Sequence, residues 1–426
     1  MTTDYRPMWT GLGLDLKMHD ALLNVLGGLY KDTFLSQNDR PESMGYFDFV
    51  MSEVHGLRIK ELMDAKAEGR KIIGTFCVFV PDELILATEA IAVGLCAGAE
   101  FGFGEAEKLL PRNMCSLIKS FFGFKLGKVC PYIEATDMVV GETTCDGKKK
   151  AYEAFKELQP NLYVMEVPQM KKPEDRALLK AEYLQFMKAL EKLTGIKIDA
   201  KRLKKGISIV NNRRKALHRL SALRASDPAP ISGLDALLIN QVAFYDNPLR
   251  FTDSVNKVCD ELEARVKKGK GVAAKGTPRV MIAGCPMAIP NWKLPAIVEK
   301  SGGVIVGEES CVGERGTRNL VDESGATLDA LVDAIVDRYF QIDCAIFTPN
   351  KERIDHIESM AKKYKADGVI LYSLQFCSPY TIEAFSVEKK LGKKKIPSLR
   401  IETDYSQEDI GQLKTRVEAF LEVIKK

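Results

Sequence analysis

Histidine is nearly missing from this chain, with His19, His55, His218 and His356 the only four among 426 residues. A histidine-rich metal site or a histidine proton relay is therefore poorly supported, because the imidazole is the usual side chain for both. No CxxC pair occurs, which argues against the knuckles of structural zinc sites. No GxxxxGK[ST] segment occurs either, so a P-loop is not expected. GLGLDL and GFGEAE carry glycines but lack the strand, spacing and acidic residue of a dinucleotide site. Long apolar runs are absent, and no stretch reaches the roughly 18–20 residues that cross a bilayer. The first twenty residues lack the basic region and apolar core of a signal peptide. A cytoplasmic protein without a membrane partner is expected. Net charge is only +4, and no basic stripe carries interleaved aromatics, so a nucleic-acid partner is not expected.

What is present is cysteine. Ten occur in a chain that is otherwise of ordinary globular composition, 46% hydrophobic and 28% charged. In a reducing compartment they do not form a disulfide framework. A length of 426 residues suggests two or three domains.

The hydrophobic pattern divides the chain into four parts. Residues 1–66 read as a helical N-terminal segment. Residues 67–168 alternate short apolar strands with helices, which predicts a parallel α/β lobe. Residues 169–275 are amphipathic and rich in Lys, Glu and Leu, as expected of a helical connector or cap. Residues 276–426 return to α/β grammar, with strands expected at TPRVMIAGCPM, GGVIVGEESCVGERG, CAIFTPN, ADGVILYSLQFCSPY and IPSLRIETDYS. The expected architecture is α/β, two doubly wound lobes with parallel sheets facing each other across a helical layer.

Ligands of open parallel sheets sit beyond the carboxyl ends of the strands. Cys77, Cys96 and Cys145 fall at or just past such ends in the first lobe, and Cys285, Cys311 and Cys377 do so in the second. Cys115, in PRNMCSLIKS, starts a predicted helix, whose dipole favours a thiolate. Cys130, Cys259 and Cys344 read as buried apolar residues. Any single cysteine is more often core than ligand, but seven at the rims of two facing lobes converge if the lobes close on each other. Thiolates gathered without histidine suit iron–sulfur clusters, with zinc the other soft-ligand candidate. Glu83, Glu142 and Arg315 are candidate catalytic residues, the first two as proton donors and the third as a holder of an anionic group. Helix capping, solvation or a surface salt bridge are their bland readings. Lys148, Lys149 and Lys150 read as a solvated face.

With these residues in view, the chain resembles the 2-hydroxyacyl-CoA dehydratase component family, the clustered partner of an ATP-driven activator. The matching segments are VPDELILA (80–87), NMCSLIKS (113–120), TTCDGKKK (143–150), QFCSPY (375–380) and IETDYS (401–406). The resemblance implies that Cys115, Cys145 and Cys377 hold a [4Fe–4S] cluster whose fourth iron is not protein-bound. Extra cysteines in GTFCVFVP and GLCAGAE are more similar to the double-cubane branch, in which six cysteines hold an [8Fe–9S] group. That likeness implies Cys77 and Cys96 for a second trio, to which strand-end position adds Cys311, with Cys285 in reserve. The implied activity is an iron–sulfur reductase of a small molecule, fed low-potential electrons by a separate homodimeric Fe–S ATPase activator. The alternatives are a 2-hydroxyacyl-CoA dehydratase subunit with one [4Fe–4S] cluster, and a non-catalytic cluster carrier. The resemblance also implies a homodimer.

Overall fold

Short apolar runs such as Ile72–Thr75 and Gly368–Leu374 are buried along their whole length. Strands covered by helices on both faces must read this way. The computed structural model describes residues 3–425. Its first sheet holds β1 (Ile72–Thr75), β2 (Ile91–Gly94), β3 (Met138–Glu142) and β4 (Leu162–Met165). Its second holds β5 (Arg279–Gly284), β6 (Val304–Glu309), β7 (Gly368–Leu374) and β8 (Ser398–Thr403). The strand orders are β2-β1-β3-β4 and β6-β5-β7-β8, and every pairing is parallel. The chain is thus an α/β protein with the same doubly wound topology used twice. In each sheet the order reverses between the two central strands, β1 and β3 or β5 and β7. This reversal opens the crevice where such sheets bind ligands.

One expected strand is missing. CAIFTPN forms an irregular loop instead, and the second sheet has four strands rather than five. The apolar run there is short, and buried apolar loop residues cannot be told from strand by pattern alone.

Between the sheets the chain is helical, through Pro173–Thr194, Ala200–Leu223, Gly233–Val242 and Pro248–Lys267. This layer ties the sheets together: the amide of Gly94 at the end of β2 donates to the carbonyl of Phe244 at 2.7 Å. The N-terminal helices dock on the second half, where Phe34 meets Trp292 edge to face with centroids 4.9 Å apart. Arg40 bridges Asp48 and Asp235 at 2.9 and 2.8 Å. The loop after β2 also touches the loop after β5, where Gly98 donates to the carbonyl of Ile289 at 2.8 Å. A Cβ on Gly98 would lie 2.2 Å from the carbonyl oxygen of Ala288, so only glycine fits at this contact. No helix is long and apolar enough to cross a membrane among the described residues.

Candidate functional site

Three cysteines occupy one local structure. Cys115, Cys145 and Cys377 are the N-cap residues of the helices Ser116–Leu126, Asp146–Leu158 and Ser378–Lys393. A capping side chain normally accepts from the first turn, and the Cys145 sulfur accepts from the Lys148 amide at 3.4 Å. The free amides and the helix dipole favour a negative sulfur at each of these positions. The backbone at Phe376, just before Cys377, has a φ of +66°, which costs energy for a non-glycine residue and turns the chain sharply at this corner.

The remaining strand ends bring in the others. Cys77 follows β1, Cys96 follows β2, Cys285 follows β5 and Cys311 follows β6. Together with Cys344 from the irregular loop, eight of the ten cysteines line one cavity of about 120 Å³ between the two sheets. Its other walls are mostly apolar, from residues such as Phe76, Val312, Ile346 and Leu374, and the charged side chain on its lining is Lys148.

The thiols fall into two groups. At one end Cys115 and Cys377 are hydrogen-bonded, Cys285 bonds to Cys377, and Cys145 lies close enough to feel Cys115. The mutual bond with Cys377 and burial push the Cys115 thiol well up, and burial raises Cys145. At the other end Cys77 and Cys311 are hydrogen-bonded to each other, with Cys344 within electrostatic reach of both. That bond pulls Cys311 down and, with burial, raises Cys77; Arg315 adds to the lowering. Cys96 is within electrostatic reach of Cys311 and Lys148, its thiol donating to the carbonyl of Phe76 at 3.0 Å. Burial raises it to about 11.

Arg315 is fully buried in the second group. Its guanidinium pairs with Glu309 at 2.7 Å, touches the Cys311 sulfur at 3.6 Å and donates to the Tyr380 hydroxyl. The same hydroxyl lies 3.6 Å from the Cys344 sulfur. Arg353 also pairs with Glu309, at 2.8 Å, and with Glu383, so two guanidiniums and two carboxylates form a balanced buried network beside the thiols.

The other two acidic candidates are placed differently. Glu83 is buried away from the cavity, paired with Arg214 and accepting from the Tyr339 hydroxyl, each at 2.7 Å. Burial raises its pKa, but Arg214 and Arg338 outweigh it and hold the carboxyl below its usual range. Such a group is an anion that stabilises two neighbours, poorly suited to donate a proton. Glu142 is likewise buried, paired with Lys148. Lys148 itself corrects the sequence reading: it is buried against Phe76 and Tyr152, while Lys149 and Lys150 are exposed. Nothing in the run KKK distinguishes its first member. Cys344 is the second residue that sequence reasoning missed, because a cysteine at the start of an expected strand reads as core. Cys130 and Cys259 are buried core residues as expected.

Thiols in a dry cavity resist ionisation, so several thiolates can gather only around a cation that offsets their charge. Among the described residues no three Cys, His, Asp or Glu side chains are disposed to hold a single metal ion. A cubane asks for wider spacing, since each iron takes its own thiolate. Two thiol groups without histidine or free carboxylate therefore suit iron–sulfur ligation better than zinc.

The model of the family described as 2-hydroxyglutaryl-CoA dehydratase, D-component, matches residues 77–424. The "Putative dehydratase subunit YjiM" of Escherichia coli (strain K12) is 38% identical, over 88% of this chain and 96% of its own length. The (R)-phenyllactyl-CoA dehydratase beta subunit of Clostridium sporogenes is 28% identical, over 84% and 92%. A benzoyl-CoA reductase component of Thauera aromatica is 23% identical, over 84% and 91%.

Proposed function

The chain belongs to the 2-hydroxyglutaryl-CoA dehydratase D-component family, and we propose that within it this protein is an iron–sulfur reductase carrying two cubanes in one cavity. The relatives are subunits of dehydratases and of a reductase, so the chain is an enzyme component of that type. The observation that carries the finer reading is the second group of thiols. A single [4Fe–4S] cluster needs Cys115, Cys145 and Cys377 alone and leaves Cys77, Cys311 and Cys344 without a purpose in an otherwise apolar cavity.

Cys115, Cys145 and Cys377 would hold one cubane, and Cys77, Cys311 and Cys344 the other. Cys344 is preferred to Cys96 because Arg315 and Tyr380 join it to Cys311, whereas Cys96 faces a backbone carbonyl. When bound, such a group supplies low-potential one-electron transfer. The protein's own residues do the rest. The helix N-termini and Arg315 offset thiolate charge. The apolar walls exclude water. A cleft of about 720 Å³ lies against Cys115, Cys145 and Cys377 and opens this end to the surface. A homodimeric Fe–S ATPase supplies the electrons, a small molecule receives them, and the chain works as a homodimer.

Iron and acid-labile sulfide counting on anaerobically purified protein tests this. About eight iron atoms per chain are expected, and about four would sink it. Four would instead favour the second reading, a 2-hydroxyacyl-CoA dehydratase subunit with one cluster, for which the dehydratase relatives speak.

A further inference from the structure

Near Glu83 the buried charges do not balance. Arg214 and Arg338 both line a small cavity that also touches Cys77 and Cys311, and Glu83 is the carboxylate they share. Arg214 takes it, with an ion pair of 2.7 Å. Arg338 is 3% exposed and has no carboxylate partner among the described residues. Its Nε donates to the Asn319 carbonyl at 3.1 Å, its Nη2 donates to the Gly316 carbonyl, and its plane stacks on Tyr339. Nη1 is buried and has no hydrogen-bond partner. Burial and then the Arg214 charge lower the Arg338 pKa to about 10, which still leaves it charged at neutral pH. A buried cation with a free donor is costly, and an arriving anion would relieve it.

The cavity has room for a small one. Its volume is about 60 Å³, against the roughly 10–15 Å³ that one water requires. That space holds about four to six water-sized atoms and excludes a phosphate ester or a coenzyme. Arg213 and Asp82, paired and half-open to solvent, stand on its wall with Ala243 and connect it to a second small cavity by Phe244 and Asp246.

We propose that this cavity binds a small planar monoanion, a carboxylate or an oxyanion of nitrate size, on the free Nη1 of Arg338 beside Cys77 and Cys311. The bound anion completes the neutralisation that Glu83 leaves half done. Its other end rests against the wall that carries the two thiols, so the site selects small acids over bulky esters at this end of the cysteine cavity. The assignment rests on Arg338, Glu83 and the cavity, and does not depend on how many cubanes the thiols hold.

The test is calorimetric titration of the full chain, purified anaerobically, with formate, nitrate, sulfate and inorganic phosphate at constant ionic strength. Formate and nitrate are expected to bind saturably, one per chain, and more tightly than sulfate and phosphate, whose second charge one guanidinium does not offset. Arg338→Gln should weaken binding about ten- to a hundredfold, the worth of a charged hydrogen bond. Ala243→Leu, which narrows the cavity with Arg338 intact, should do the same and carries the test if Arg338→Gln does not fold. Circular dichroism checks that each variant is native. Absence of saturable binding, equal binding of sulfate, or binding that survives both substitutions would overturn the proposal.

Discussion

Lys148 reaches back from the first turn of its helix to Glu142 at the end of β3, and the ion pair closes the corner that holds Cys145. Both side chains are buried, at 9% and 0% exposure, so neither charge can turn to water if its partner is lost. Removing one partner of a buried pair costs about 3–5 kcal/mol, whereas removing both is often nearly neutral. Glu142→Gln and Lys148→Met should each lower anaerobic unfolding stability by that amount. The double variant should recover most of the loss. Additive losses would mean that the two residues act separately, and Glu142 would return as a candidate proton donor.

The N-terminal helices carry a second buried pair. His19 Nε2 and His55 Nδ1 are 3.0 Å apart, beside Trp9. Burial lowers His55 to about 3, with His19 adding to the fall, and burial lowers His19 to about 4. Below an unfolded pKa of about 6.5 the unfolded chain binds protons that the folded one refuses, so stability must fall as pH drops from 6.5 toward 4. His55 alone should account for about 2 kcal/mol at pH 5. Unfolding midpoints measured from pH 7 to pH 5 should fall more steeply for the parent than for His55→Gln.

The two α/β halves are legible in the sequence because β5, β6 and β7 are built on short apolar runs (residues 280–283, 304–306 and 369–372) bounded by turns, a local signal. The N-cap cysteines are legible for a like reason: Cys145 and Cys377 stand where a strand's corner meets a helix, and Cys115 stands at a helix start. What sequence does not reveal depends on tertiary neighbours. Lys148 differs from Lys149 only in facing Phe76 and Tyr152, and Cys344 differs from Cys130 only in which cavity its loop meets. Glu83 reads as a cleft acid because Arg214 and Tyr339, which hold it, lie 131 and 256 residues away.

Gly98 links the halves where their loops meet. An added methyl would strike the backbone of Ala288, which cannot rotate aside as a side chain could. Overpacking of this kind costs about 1–3 kcal/mol. Gly98→Ala should lower the unfolding midpoint accordingly and speed the reaction of cavity thiols with an aromatic disulfide reagent in the apoprotein. Unchanged thiol reactivity would mean that the contact does not govern how tightly the cavity is closed.

The composition of the second thiol group separates two expectations drawn from different signals. The family likeness points to Cys77 and Cys96, to which strand-end position adds Cys311, with Cys285 in reserve. Contacts favour Cys77, Cys311 and Cys344. The Cys96 sulfur faces the Phe76 carbonyl at 3.0 Å, and the Cys285 sulfur accepts from the Leu374 amide at 3.3 Å. The Cys96 thiol donates to a carbonyl, a contact that a thiolate ligand cannot keep, and Cys285 bonds to Cys377 in the first group rather than to Cys311. Serine at a ligand position removes the soft thiolate that iron prefers, so Cys344→Ser should reduce iron from about eight to about four atoms per chain. Cys96→Ser and Cys285→Ser should leave the count near the parent's. Should Cys96→Ser lose iron while Cys344→Ser keeps it, Cys96 is the third ligand, and the Tyr380 contact to Cys344 serves packing alone. A matching loss in Cys77→Ser and Cys311→Ser is required under either outcome, because both trios contain that hydrogen-bonded pair.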